Sequence, residues 1–205
     1  MITDDTLTES LSPGEPLFIV EMNWGQQPVK LTAWLRHTLP EDAPVTSVHI
    51  VALFGPRLLV VRDRRGTYGF PGGRLDRGES REQAMDREVY EEANAYVEPG
   101  YVLFAVIKIE YTQKLPGRVY PNEYSYLAMY AGKIKELDPF NGDPAGIILE
   151  RALFTYDDCQ RHLLHHDRIL MREGIAALAR HKDSPELREF LGESGKESGN
   201  GRESR

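Results

Sequence analysis

The sequence predicts an α+β fold in which strands surround one well-capped helix. Three observations carry the prediction. VHIVALF (48–54) and LLVVRD (58–63) are apolar on both faces and are separated by Gly55-Pro56, as neighbouring strands of a covered sheet would be. The stretch from Ser80 to Ala93 has helical spacing together with its own start and stop signals. Two long apolar runs follow it, VLFAVIKIEY (102–111) and YSYLAMYAGKI (124–134), and both read as strands.

Taken in order, residues 1–14 are rich in Ser, Thr and Asp and end in a Pro-Gly pair, so they read as loose. PLFIVEM (16–22) reads as a strand, while the stretch on to Pro44 mixes Trp24, Trp34 and prolines and takes no assignment. Asp63-Arg64-Arg65-Gly66 is a turn, and TYGFPGG (67–73) leads through a polar loop into the helix. Ser80 is an N-cap, with Gln83 three residues on to complete a capping box. Asn94 stands at the helix exit, where it tolerates a left-handed backbone. A loop covers 138–146, and ILERALFTY (148–156) is in part a strand. Residues 157–180 carry helical spacing through Leu163, Leu164, Ile169, Leu170, Ile175 and Leu178. No apolar residue follows Gly192. The expected organisation is an N-terminal extension (1–45), a main domain (46–181) and a polar tail expected to be disordered (182–205).

The 205 residues suffice for one domain with a real core. No run approaches the roughly 18 apolar residues that a membrane span needs, and the acidic start MITDDTLTES is no secretory signal. Cys159 is the single cysteine, so no intrachain disulfide can form; a cytoplasmic location is expected. A net charge of -7 argues against a nucleic-acid partner. An acidic protein that handles phosphates must gather positive charge locally, and a divalent cation is the simplest way to do so.

The chemistry lies in GRLDRGESREQAMDREVYEEANA (73–95). At about 100° per residue, Met85, Val89, Ala93 and Tyr96 fall in one stripe that should face the core. Glu88, Glu91 and Glu92 fall together on the adjacent sector, which also holds Ala84 and Ala95, because spacings of three and four share a face. Like charges so placed destabilise a helix by a few tenths of a kcal/mol per pair, roughly, unless something offsets them. Magnesium prefers oxygen ligands and is typically held by carboxylates together with substrate phosphates. A solvated helix face is the ordinary reading of one Glu-Glu pair; the wider pattern argues otherwise.

Gly73, Glu79, Arg87, Glu88, Glu91 and Glu92 match the Nudix box in order and spacing, with Val89 at its aliphatic position. The chain thus resembles the Nudix hydrolase family. The resemblance implies an α/β/α sandwich with a mixed sheet, from about Thr46 to Arg180. It implies magnesium, or manganese, bound by Glu88, Glu91 and Glu92. Arg87 and Glu79 would orient these carboxylates, and Gly72 and Gly73 would let the backbone approach phosphates. The implied catalytic set is Glu88, Glu91, Glu92 and Arg87. The implied reaction cleaves a phosphoanhydride bond in a nucleoside diphosphate linked to a further group X. Glu88 is the candidate general base, with Glu136, Asp138, Asp143 and Glu150 as loop-region alternatives. Asn94 and Ala95 depart from the pattern, which has glycine and a bulkier aliphatic there.

Outside the box, Arg62 ends a strand where a cation could meet phosphate. Lys108, Lys114, Arg118, Tyr111, Tyr120, Tyr124 and Tyr126 mix aromatic and basic side chains that suit a base and its phosphates. Tyr111 and Tyr124 are the candidate substrate contacts. His162, His165 and His166 lack the fuller ligand set of a zinc site. Asp157 and Asp158 should raise the pKa of Cys159. The extension could serve as a dimer interface. The competing reading is a silent sensor or regulatory domain of the same fold, which would have no need to keep all three carboxylates.

Overall fold

The computed structural model describes residues 14–24, 26–39, 43–117, 122–181 and 185–192. A mixed sheet runs in the order β1-β2-β8-β9-β3-β4-β10. Its strands are β1 (Phe18–Trp24), β2 (Gln27–Leu35), β3 (Val45–Phe54), β4 (Arg57–Asp63), β8 (Val102–Tyr111), β9 (Tyr124–Leu137) and β10 (Ile148–Phe154). Short strands β5 (Tyr68–Gly69), β6 (Gly72–Arg74) and β7 (Ala95–Val97) pair with β4, β3 and β9. Only the β3–β9 pairing on this path is parallel; it places His49 beside Met129 and Val51 beside Ala131.

Alternation along the central strands explains the layers. Val51 and Leu53 of β3, Leu58 and Val60 of β4, and Leu127 and Met129 of β9 share one core. Val48, Ile50, Ala52, Leu59, Val61 and Ala128 share the other. Helix α1 (Arg81–Ala93) covers the second face with Ala84, Met85, Val89 and Ala93. Helix α3 (His165–His181) covers the first with Leu170, Met171, Ile175 and Leu178. Gly174 lets α3 lie close on β3, since a β-carbon there would sit 3.0 Å from Val51 Cβ. The result is the expected α/β/α sandwich. No described helix is long and apolar enough to cross a membrane.

Several elements differ from expectation. β2 went unassigned because Gln27, Pro28 and Trp34 blur its alternation, yet Gln27, Val29, Leu31 and Ala33 are buried in turn. It pairs with β8 from Val29↔Tyr111 to Leu35↔Ala105, so the β1–β2 hairpin continues the main sheet. The predicted helical stretch 157–180 breaks at Leu163, which is extended, into α2 (Tyr156–His162) and α3. A further helix, α4 (Pro185–Phe190), lies in the segment expected to be tail, and buries Leu187 and Phe190. Tyr96 does not join the core stripe: α1 stops at Ala93, and Tyr96 is 43% exposed on β7. The expected loose start 1–13, the tail beyond 192, Arg118 and Tyr120 lie outside the described residues.

Candidate active site

Helix α1 is set by its ends. Ser80 accepts from the Gln83 N–H and Gln83 reaches back to the Ser80 N–H, so the capping box forms as read. At the exit, Asn94 is left-handed, with φ 45°. It also does what glycine could not: its Oδ1 accepts from the Asn141 N–H at 2.9 Å, while its carbonyl accepts from Asp138. Arg151 Nη1 donates to the carbonyls of Ala93 and Asp138 at 2.8 Å each, which stops the helix and ties it to the loop after β9.

Arg87 is the hub of the carboxylate face. Its Nε and Nη2 make a two-pronged pair with Glu79 at 2.8 Å each, and Nη2 also reaches the Arg74 carbonyl at 2.8 Å. Its Nη1 donates to Glu88 at 2.9 Å and to Glu91 at 3.3 Å. The Arg87 guanidinium, helped by the Asp76 N–H, holds the Glu79 carboxyl down at about 2. Glu88 packs over Gly73 so closely that a β-carbon there would run into its carboxylate. Glu92 accepts from the Gly72 N–H at 2.9 Å. Gly72, at φ 143°, has no room for a side chain either, because the Val48 carbonyl and His49 stand against it. The two glycines thus make space first for the protein's own strand and carboxylate.

Electrostatics divides the three glutamates. Burial pushes Glu92 up to about 8 despite the Gly72 N–H, and Glu88, Asp143 and Glu91 add repulsion. Burial also raises Glu88, against the pull of Arg87. Glu91 is the open one, with its side chain 40% exposed against 15% for Glu88. His49, beside Gly72 in the β3–β6 pairing, is kept neutral by burial, and its Nδ1 must donate to the Phe70 carbonyl at 3.0 Å.

These groups open onto a cleft of about 890 Å³ lined by Glu88, Glu91, Glu92, Gly72, Gly73 and Tyr111 among the expected residues. Arg62 stands outside it, paired with Glu150 at 2.7 Å. Tyr124 stands outside it too, against Tyr126 and under the Lys108 ammonium, which lies 4.4 Å from its ring centre. Of the alternative bases only Asp143 lines the cleft, and its oxygens also accept from the N–H groups of Ala145, Ile147 and Ile148. Asp138 is held by the Tyr90 and Tyr96 hydroxyls, and Glu150 by Arg62 and Tyr68. His162 stacks against Tyr68 and Phe154, and His166 against Phe18. Cys159 is pushed up to about 12, by burial first and Asp158 second.

Sequence reasoning missed the far lining of the cleft: Phe18, Met22 and Trp24 of β1, Ser125, Asp167, and the cations Arg64, Arg65 and Arg74, of which Arg65 is paired with Asp63. Neither Arg64 nor Arg74 has an ion-pair partner among the described residues. The spacing of Phe18, Met22 and Trp24 puts them on one face of a strand, but nothing local says which face meets the carboxylates, Glu88 being 64 positions beyond Trp24.

A model of the NUDIX domain matches residues 43–173. No curated relative matches the chain. Among solved structures, a point mutant of the Bacillus subtilis pyrophosphohydrolase BsRppH is 20% identical at a TM-score of 0.49, covering 86% of this chain and 98% of that one. An ADP-ribose pyrophosphatase of Streptococcus suis is 15% identical at 0.46, covering 69% and 95%. The NUDIX domain of Shewanella oneidensis NrtR, complexed with ADP ribose, is 16% identical at 0.49, covering 67% and 90%. Similarity at this level carries nothing about substrate.

Proposed function

Since the chain belongs to the NUDIX domain family, we propose that it is a magnesium- or manganese-dependent hydrolase of a phosphoanhydride bond in a nucleoside diphosphate linked to a further group X. One observation carries this reading. Glu88, Glu91 and Glu92 share a face, the first two braced by the Arg87–Glu79 pair and the third by the Gly72 N–H, and all three border a cleft large enough for such a molecule. Their chemistry fits a hard cation: the donors are all oxygen, and two of the three are raised by burial and mutual repulsion. Among the described residues no three His, Cys, Asp or Glu side chains already converge on one point; Arg87 stands between Glu88 and Glu91 in that role.

When bound, the cation neutralises phosphate oxygens and makes water more acidic. The chain's own groups do the rest. Glu88 takes the proton of the attacking water, with Asp143 as the alternative base in the same cleft. The water oxygen bonds to phosphorus as the bridging P–O bond breaks, and its electron pair leaves with the departing phosphate. Arg87 and Gly73 fix where Glu88 points, and the Gly72 N–H fixes Glu92. Arg64 and Arg74 supply charge for phosphates at the cleft wall.

The test is a panel of ADP-ribose, nucleotide sugars, dinucleoside polyphosphates and nucleoside triphosphates, with products resolved by chromatography. Hydrolysis of at least one with magnesium or manganese, and none in excess chelator, is expected. Full activity in chelator overturns the reading. Saturable binding with no turnover of any compound favours the sensor instead.

A further inference from the structure

The side chain of Asn94 does something that the end of α1 does not require. A left-handed helix exit is served at least as well by glycine, which has no side chain to bury. The backbone of Asn94, at φ 45°, already ends α1, its N–H donating to the Tyr90 carbonyl at 2.8 Å. Yet a carboxamide stands there only 4% exposed, and burying one is costly unless it is hydrogen-bonded. Both of its ends are bonded. Nδ2 donates to the Tyr90 carbonyl at 3.2 Å, and Oδ1 accepts from the Asn141 N–H at 2.9 Å. The first bond stays within the helix; the second reaches 47 positions along the chain, to the loop between β9 and β10. Arg151 closes the same junction, its Nη1 donating to the carbonyls of Ala93 and Asp138 and its guanidinium 5.9 Å from the centre of the Phe140 ring.

Only Gly142 separates Asn141 from Asp143, the acid of this loop that lines the cleft beside Glu88, Glu91 and Glu92. Asp143 shapes the far half of the loop. Its Oδ1 accepts from the Ala145 N–H at 2.9 Å, and its Oδ2 from Ile147 at 2.7 Å and Ile148 at 3.0 Å. Those bonds fix the carboxylate within the loop, and the bond from Asn94 fixes the loop against the helix that carries the other three carboxylates. The charge of Asp143 is felt across the cleft at Glu92. We propose that Asn94 is a positioning residue: its carboxamide latches the loop to the exit of α1 and so holds the Asp143 carboxylate against the cation-binding face of Glu88, Glu91 and Glu92. The inference rests on the function proposed above. A fourth negative charge attracts a divalent cation in proportion to its nearness, and a group that handles the attacking water must keep its place to within a fraction of an ångström.

Asn94→Gly keeps the left-handed backbone and removes only the latch. Three measurements on the full chain read the result. Metal-free amide exchange, followed by NMR, should quicken about fivefold or more at Ala145 and Ile147, which bond Asp143 and do not touch Asn94, while Val89 in α1 stays as protected as in the wild type. Calorimetry with Mn2+ alone should show affinity reduced about threefold or more. On any substrate that the wild type hydrolyses, kcat should fall about tenfold with KM nearly unchanged. Asn94→Asp, which keeps an accepting oxygen, should restore most of the exchange protection and of kcat. In an Asp143→Asn background, Asn94→Gly should change neither Mn2+ affinity nor kcat further, because the charge it positions is gone. Unchanged exchange in the loop overturns the latch. Faster exchange with wild-type Mn2+ affinity and kcat, or equal losses with and without the Asp143 carboxylate, overturns the positioning role. Hydrolysis that is indifferent to Asn94→Gly sinks this inference alone; Mn2+ affinity that depends on Asn94 through Asp143, with no hydrolysis of any substrate, sinks only the function proposed above.

Discussion

The two ends of the cleft are built on opposite plans. At the box end each carboxylate has a hydrogen-bond partner before any ligand arrives. Arg87 makes hydrogen bonds to Glu79, Glu88, Glu91 and the Arg74 carbonyl, and Glu92 is pinned by the Gly72 N–H. At the other end, a chamber lined by Phe18, Trp24 and Leu170, the Ser125 hydroxyl is buried with no hydrogen-bond partner, and Asp167 is half-buried with His166 at 3.7 Å as its ion-pair contact. Groups that act on developing charge gain from being fixed in advance, since reorganisation during the reaction costs rate. Groups that recognise a ligand can wait for the ligand to satisfy them. The first end should therefore govern kcat and the second KM, and mutations at each can break that division.

The largest effect is expected from Glu92→Gln. The amide keeps the volume and can still accept the Gly72 N–H, but the charge is gone. We expect kcat to fall at least about a hundredfold on every substrate, more than loss of a supporting outer group costs. The melting temperature should stay at or above wild type, since a desolvated carboxyl is replaced by a neutral group. Activity within a few-fold of wild type under saturating magnesium would remove Glu92 from the mechanism. Gly73→Ala is next. Its backbone is not left-handed, so alanine is locally tolerable, but the new methyl must displace the Glu88 carboxylate. A displacement of about 1 Å can cost up to a hundredfold in rate. Steady-state kinetics should show a kcat loss between about tenfold and that limit, with KM little changed; wild-type kcat would show that the placement of Glu88 is immaterial.

The same division explains what was legible in the sequence. The box end is local: Ser80, Gln83, Arg87, Glu88, Glu91, Glu92 and Asn94 belong to one helix and its caps, and helical spacing alone places the carboxylates on one face. The strands 48–54, 58–63 and 102–111 were legible because both their faces are buried. The chamber is not local. Its lining comes from β1, β2, β8, β9 and α3, and it depends on the pairing Val29↔Tyr111, which no spacing rule supplies. β2 was hidden by Pro28 and by a buried Gln27, which donates to the Gln113 carbonyl at 2.7 Å from 86 positions away. Asp167 lies unremarked inside the helical stretch read over 157–180; only its burial by elements far along the chain makes it unusual. Arg62 read as a phosphate contact because its partner Glu150 lies 88 positions on.

Two acidic residues sharpen the comparison through opposite responses to pH. Glu79, at the box end, is held down at about 2 by Arg87, below its ordinary value. Its stabilisation is present above the unfolded carboxylate range and is lost as pH falls towards 2. Asp167, at the chamber end, is pushed up to about 7 by burial. Its protonated form is the one the fold favours, so stability is full below about pH 4 and is lost as pH rises through 7. Glu79→Gln should therefore flatten the acid limb of the stability curve and lower kcat by loosening Arg87. Asp167→Asn should flatten the limb between about pH 4 and 7 and melt higher than wild type at pH 8, by about 2–4 °C for each kcal/mol relieved. Thermal melts from pH 3 to 9 decide both; parallel curves for a variant and the wild type would show that its carboxyl carries no such linkage.

The smallest effect separates Tyr111 from Tyr124, which the sequence offered as equivalent substrate contacts. The β8–β9 register makes them different. Glu110 pairs with Tyr124 and Ile109 with Ser125, so strand alternation sends Tyr124 to the side of Lys108 and Tyr126, while Tyr111 shares the cleft side with Ile109 and Ser125. Base–aromatic stacking is worth about 1–3 kcal/mol, so Tyr111→Ala should raise KM by roughly tenfold with kcat nearly unchanged, the pattern of lost uniform binding. Tyr124→Ala should leave KM and substrate ranking within about twofold of wild type. It should cost some stability through the lost contact with the Lys108 ammonium, a contact worth about 0.5–1 kcal/mol when exposed and more when desolvated. Kinetics on two substrates with different bases, alongside a melt of each variant, reads all of this. Equal KM changes in the two variants would mean that the strand face does not decide access to substrate. A kcat loss in Tyr111→Ala as deep as that of Glu92→Gln would mean that the chamber end also takes part in the chemical step.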